Sequence, residues 1–122
     1  MTLKWLAPNR WAVVGRYQRY SVRWGRWITV PDGTQTDLAS VPRLALPLID
    51  DDDLAPAAVI HDYLYRSPWL HGRPTRKMAD KIMRDLMTED GVPGWKRRLV
   101  YWAVRAFGGR AWRKEGKYDC GV

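Results

Sequence analysis

Leu54-Ala-Pro-Ala-Ala-Val-Ile-His61-Asp62-Tyr-Leu-Tyr65 is the stretch on which the fold turns. Its apolar run follows four consecutive carboxylates, Asp50 to Asp53, which offer an N-cap and first-turn acids for a helix. Pro56 is tolerated only in a helix's first turn, where its missing N–H costs nothing. A helix over 54–66 follows. On it His61 and Tyr65 are four residues apart and share a face, while Asp62 points about 100° away.

Working outward, a loop through His71 and Gly72 leads to Lys77-Met-Ala-Asp80-Lys-Ile-Met-Arg-Asp-Leu-Met87. Ala79, Ile82, Met83, Leu86 and Met87 recur at helical spacing, which predicts a second helix over 76–88 with that stripe buried. Asp80 borders the stripe, and a carboxylate held there needs a partner. A short loop between two helices makes them antiparallel neighbours, so the nearest partners are His61 and Tyr65. A carboxylate that accepts one imidazole N–H fixes the tautomer and makes the other nitrogen a better base. The same pair also serves as a satisfied polar bridge that does no more than fix helix packing.

Ala57-Ala58-Val59-Ile60-His61-Asp62-Tyr63-Leu64-Tyr65 and Ala79-Asp80 resemble the phospholipase A2 superfamily, closest to its short bacterial and parvoviral capsid types. That resemblance covers about a quarter of the chain. It implies that His61 activates the attacking water, Asp62 ligates calcium, Asp80 orients His61, and Tyr65 supports Asp80. The longer pattern Val30-Pro31-Asp32-Gly33-Thr34-Gln35-Thr36-Asp37-Leu38-Ala39-Ser40-Val41-Pro42, followed by His61-Asp62-x-x-Tyr65 and Ala79-Asp80, is similar to a phage and prophage family known as domain of unknown function 1353. This second resemblance brings a family but no activity. It implies synthesis in a host cytoplasm and a role as a virion or tail component.

The glycine-rich calcium loop of phospholipases has no counterpart here. Thr36-Asp37-Leu-Ala-Ser40 is the stretch that would replace it, with Asp37 as a second hard-oxygen ligand beside Asp62 and the Thr36 and Ser40 hydroxyls as support. The competing assignment is a hydroxyl-capped turn. Ser40 as a nucleophile lacks the Gly-x-Ser-x-Gly elbow, and His71 with His61 matches no standard zinc spacing.

The rest of the chain bounds the answer. Its 122 residues suit a single domain with one modest core. Residues 10–30 are rich in β-branched and aromatic side chains, with Trp11-Ala-Val-Val14, Tyr20 to Trp24 and Arg26 to Val30 as short strands. Residues 36–53 are a loop. Pro93-Gly94 opens a third helix over 95–107, with Leu99, Trp102, Ala103 and Ala106 along one side, Val100, Val104 and Phe107 beside them in a broad apolar face, and Gly108-Gly109 as its C-cap. The fold class is therefore α+β, a small N-terminal antiparallel sheet followed by a three-helix, phospholipase A2-like core.

Lys and Arg number 21 against 13 Asp and Glu, a net charge of +8 that favours anionic partners: a phospholipid surface, an acidic phage protein or nucleic acid. No nucleic-acid-binding motif is present, which ranks that partner last. The basic, tryptophan-bearing end, with Arg98, Trp102, Arg105 and Trp112, suits a membrane or partner surface. The lone Cys120 rules out an intrachain disulfide, unlike secreted phospholipases. The first residues carry no apolar run long enough for a signal peptide or membrane helix. The expected activity is calcium-dependent ester hydrolysis; the alternatives are a non-catalytic assembly component and a nucleic-acid binder.

Overall fold

The computed structural model describes residues 2–7, 10–36 and 55–112. Among these described residues five strands precede three helices, an α+β arrangement: β1 Thr2–Ala7, β2 Arg10–Val14, β3 Tyr17–Ser21, β4 Arg26–Val30, β5 Gln35–Thr36, α1 Ala55–Tyr65, α2 Arg76–Glu89 and α3 Gly94–Phe107. All strand pairings are antiparallel. β2 lies between β1 and β5, with Leu3 opposite Val13 and Trp11 opposite Thr36. β3 and β4 form a separate hairpin, with Tyr17 opposite Val30 and Tyr20 opposite Trp27.

Two features of the sheets differ from the sequence expectation. β1 was not foreseen; it is an edge strand whose Trp5 and Leu6 are exposed, so its pattern carries little inward alternation. The expected strand from Tyr20 to Trp24 ends at Ser21, because residues 22–25 are the hairpin turn. Gly25 closes that turn at φ 74° with its N–H on the Ser21 carbonyl at 2.7 Å. Of Trp11, Trp24 and Trp27, the first two are partly buried. Trp27 is exposed, edge-on to Tyr20.

α1 is buried on almost every side: Ala57 to Asp62, Leu64 and Tyr65 are all inside. It touches β4 and β5 on one side and α2 on the other. Fully burying a residue such as Ile60 or Leu64 contributes about 1.5–3 kcal/mol, so tertiary contacts hold this 11-residue helix more than propensity does. Its C-terminal carbonyls are answered by Arg73, whose guanidinium donates to Leu64 O (3.0 Å) and Tyr65 O (2.7 Å). The acidic cap expected from Asp50 to Asp53 lies outside the described residues.

α2 starts at an N-cap, Thr75, whose hydroxyl accepts from Met78 N–H. It ends in a Schellman motif: Val92 N–H reaches Met87 O (3.0 Å) and Gly91 N–H reaches Thr88 O (3.2 Å), with Gly91 at φ 80°. Val92 is buried where the motif wants an apolar residue. Asp80 is inside the buried stripe of α2 rather than on its border.

α3 turns inward only part of its broad apolar face. Lys96, Val100, Ala103 and Val104 are buried, while Leu99, Trp102 and Phe107 are exposed. Its end also differs. Gly108 keeps a right-handed φ of −78° and leads into a short 3-10 turn, Gly108–Arg110, so no left-handed glycine closes the helix.

The core joins Val13, Ile28 and Val30 of the strands to Ile60 and Leu64 of α1, Ile82 and Met83 of α2, and Val100 of α3. Two arginines fasten the β3–β4 hairpin to α2 outside it. Arg19 holds Asp90 through two hydrogen bonds (3.0 and 3.1 Å), and Arg23 holds Asp85 (2.8 and 3.2 Å). No helix among the described residues is long and apolar enough to cross a membrane.

Candidate functional site

Three helices meet at one carboxylate. His61 Nε2 of α1 lies 2.6 Å from Asp80 Oδ1 of α2, and the Tyr65 hydroxyl donates to the same oxygen. Arg105 of α3 reaches the other oxygen, with Nη1 2.7 Å from Asp80 Oδ2. His61, Tyr65 and Asp80 are each 0% exposed. The pairing His61–Asp80 and Tyr65–Arg76 runs in opposite directions along the two helices, so α1 and α2 are antiparallel, as their short connection requires.

Arg76 closes the network. One turn before Asp80, its Nε donates to the Tyr65 hydroxyl (3.1 Å), and its Nη2 donates to the carbonyls of Val104 (2.7 Å) and Arg105 (3.1 Å) at the end of α3. Tyr65 therefore accepts from Arg76 and donates to Asp80, which fixes its hydroxyl proton in one direction. The imidazole is tilted over the Tyr65 ring, with centroids 4.1 Å apart. Trp112 stands edge-on to the far side of Tyr65 and over the Arg73 guanidinium.

The electrostatics follow from this crowding. Burial by itself pushes the Asp80 carboxyl up. The hydrogen bonds from His61, Tyr65 and Arg105 outweigh it and hold the group below the ordinary carboxylate range. Burial, the Asp80 hydrogen bond and the nearby negative charge together push the Tyr65 phenol well up, so it stays a protonated donor. Asp80 is thus an anion, and Nε2 carries the imidazole proton towards it.

Asp62 points elsewhere, towards β5. Its Oδ2 accepts from the Thr36 hydroxyl at 2.7 Å, and the Arg66 guanidinium lies 3.6 Å away. Thr36 and Asp62 are both buried and tie the end of β5 to α1. Pro31 to Thr36, Asp62, Tyr63, Arg66 and Trp69 line a cleft between the β4–β5 turn and α1. Asp62 is part of that wall, and His61 is not among the described residues that line it.

The remaining expected site residues divide. Asp37 and Ser40 lie outside the described residues. Arg98 and Trp102 are exposed on α3. Arg105, expected on a membrane or partner surface, turns instead to Asp80, because that buried carboxylate still has an oxygen to satisfy. Trp112, expected on the same surface, is partly buried against Tyr65 and Arg73. Sequence reasoning missed Arg76, although its position four residues before Asp80 puts it on the same helix face. The histidine in the interhelix loop, His71, is exposed, and its backbone carbonyl accepts from Arg26.

As for a metal, no group of three or more His, Cys, Asp or Glu among the described residues is arranged to hold one. Among the described residues Asp62 offers the one carboxylate at the expected place, Asp37 lying outside them, and its neighbours there include a hydroxyl donor and a guanidinium, which are what an anion wants. This described donor set does not fit a divalent cation, which takes six to eight oxygens.

Comparison with known proteins agrees with the longer sequence pattern. Residues 11–104 match the family described as "Protein of unknown function (DUF1353)". The chain is 35% identical over 82 residues to the uncharacterized protein y4jT of Sinorhizobium fredii, covering 65% of this chain and 23% of that protein. It is 37% identical over 82 residues to the uncharacterized protein y4iH of the same organism, covering 63% of this chain and 32% of that protein. The chain thus spans less than a third of the length of either relative. No solved structure matches it significantly. With the family match extending over more than half of its length, the chain belongs to the DUF1353 family of proteins of unknown function.

Proposed function

We propose that the protein is a hydrolase that uses His61 as a general base on an ester, with phospholipid as the substrate class. The observation that carries this is the buried hydrogen bond from His61 Nε2 to Asp80, reinforced by Tyr65 on the same oxygen. His61 would take a proton from water as the water oxygen bonds to the ester carbonyl carbon. Asp80 would stabilise the imidazolium formed, and the proton would pass to the departing alkoxide as the acyl–oxygen bond breaks. Acid and alcohol result, with no net change at His61. Calcium would supply charge for the carbonyl oxygen if bound, but the described residues do not fit it and no step here is drawn through it. A phage or prophage setting belongs to the same proposal.

One observation favours a second reading, a non-catalytic component with the same scaffold. His61, Tyr65 and Asp80 are wholly enclosed, and Asp80 is satisfied by three donors, as a structural bridge would be. Fatty-acid release from phosphatidylglycerol, by wild type and by His61→Ala, separates the two. Release that vanishes in a folded His61→Ala protein supports the hydrolase. No release from a folded wild-type protein leaves the network as architecture.

A further inference from the structure

The outward side of α3 is apolar where a surface helix is ordinarily polar. Trp95 is 62% exposed, Leu99 41%, Trp102 57% and Phe107 54%. At 100° per residue Trp95, Leu99, Trp102 and Ala106 fall within an arc of about 60°, and the stripe runs about 16 Å along the helix. Phe107 lies edge-on to Trp102 at the helix end, with centroids 5.8 Å apart, so the two rings make one patch. The adjoining side of the helix, Val100, Ala103 and Val104, is already spent on the core.

The charge around this stripe has one sign. Residues 91–112 contain Lys96, Arg97, Arg98, Arg105 and Arg110 and no Asp or Glu. Lys96 is buried, Arg97 donates to Val92 O and Arg105 to Asp80. Arg98 and Arg110 are exposed, Arg98 flanking the stripe. A second copy of this chain docked by the same patch would set these cations against each other, since a two-fold interface brings like to like. An anionic bilayer surface answers both features. Tryptophan and phenylalanine settle at the depth of the headgroups, and arginine meets the lipid phosphates.

We infer that the exposed side of α3 is an interfacial docking surface, on which Trp95, Leu99, Trp102 and Phe107 enter the headgroup layer of an anionic phospholipid bilayer while Arg98 binds its phosphates. The choice of lipid rests on the hydrolase proposal; the surface itself is independent of the chemistry at His61.

The test is co-sedimentation of the full chain with phosphatidylglycerol vesicles and with phosphatidylcholine vesicles. Wild type is expected to bind the first at least tenfold more tightly, with a blue shift of tryptophan emission. Arg98→Ala is expected to lose about fivefold, the factor for one cation at an anionic surface. Trp95→Ser with Trp102→Ser is expected to abolish binding while the circular dichroism stays native, because both side chains are exposed. No binding by wild type, equal binding to both lipids, or undiminished binding by the double variant overturns the inference. A dimer that the double variant disrupts, without vesicle binding, also overturns it in favour of a second copy. Binding by His61→Ala as tight as wild type is expected. Vesicle binding without fatty-acid release upholds the surface and removes the hydrolase, and release from dispersed short-chain lipid without vesicle binding does the reverse.

Discussion

Arg105 of α3 and Asp80 of α2 form an ion pair, Nη1 to Oδ2 at 2.7 Å, in which the carboxylate is wholly buried and the guanidinium is about one-third exposed. The pair makes α3 part of the site: the helix with the exposed aromatic side also sets the charge behind His61. Removing Arg105 leaves a buried carboxylate with two hydrogen bonds in place of three. Arg105→Met is expected to lower the unfolding free energy by about 1–3 kcal/mol, the usual cost of leaving a buried polar group short of a partner. Arg105→Lys should recover part of that, and urea unfolding measures both. A loss under a few tenths of a kcal/mol would mean that water replaces the guanidinium freely.

Asp80 also sets a dependence on acid. Its carboxyl is held below the ordinary value of 3.8, so the unfolded chain takes up this proton first as pH falls. The stability it contributes is complete above about pH 4 and is lost as pH drops through the depressed folded value. Unfolding of wild type and Asp80→Asn should therefore differ most near neutrality, and the difference should shrink as pH falls below the ordinary 3.8. A difference that stays constant from pH 7 to pH 2.5 would count against an ionised Asp80.

Asp62 is engaged by Thr36 and Arg66, which leads to a prediction about calcium. Millimolar calcium is expected to leave the wild-type Tm unchanged, because a ligand stabilises only when it binds the folded state. Thr36→Val, which removes the donor from a buried carboxylate, is expected to cost about 1–3 kcal/mol. A calcium-dependent rise of several degrees, lost in Asp62→Asn, would show that Asp62 turns from Arg66 to a metal.

Gly91 closes α2 at φ 80° with open space around it, so the only obstacle to a side chain there is the backbone. Gly91→Ala is expected to cost about 1–2 kcal/mol without changing the contents of the site. Thermal unfolding tests this, and an unchanged Tm would mean that the chain reaches Val92 by another turn.

The helices were legible because each carries its own period. The expected 54–66, 76–88 and 95–107 correspond to Ala55–Tyr65, Arg76–Glu89 and Gly94–Phe107, within one residue at each end. His61 and Asp80 are 19 residues apart, yet their pairing is accessible to a sequence argument, since a short loop joins their helices and a buried carboxylate needs a donor. What periodicity could not decide was the rotation of α3. Its apolar residues cover two adjoining sectors, and only packing against α2 selects Val100, Ala103 and Val104 over Leu99 and Trp102. Arg105 was placed on the surface for the same reason. β1 was missed because an edge strand with exposed Trp5 and Leu6 shows no alternation, and Arg76 because nothing in its own sequence neighbourhood distinguishes it from Arg73 or Lys77.

The central claim is that Asp80 sets His61 as a base by holding the proton on Nε2. Nitrogen-15 correlation spectroscopy of the His61 ring tests it without any substrate. The expected result is a ring with a proton on Nε2, and a shift towards a mixture of tautomers in Asp80→Asn. A ring in wild type whose Nε2 carries no proton would contradict the account, because Asp80 would then not be holding the proton that orients His61.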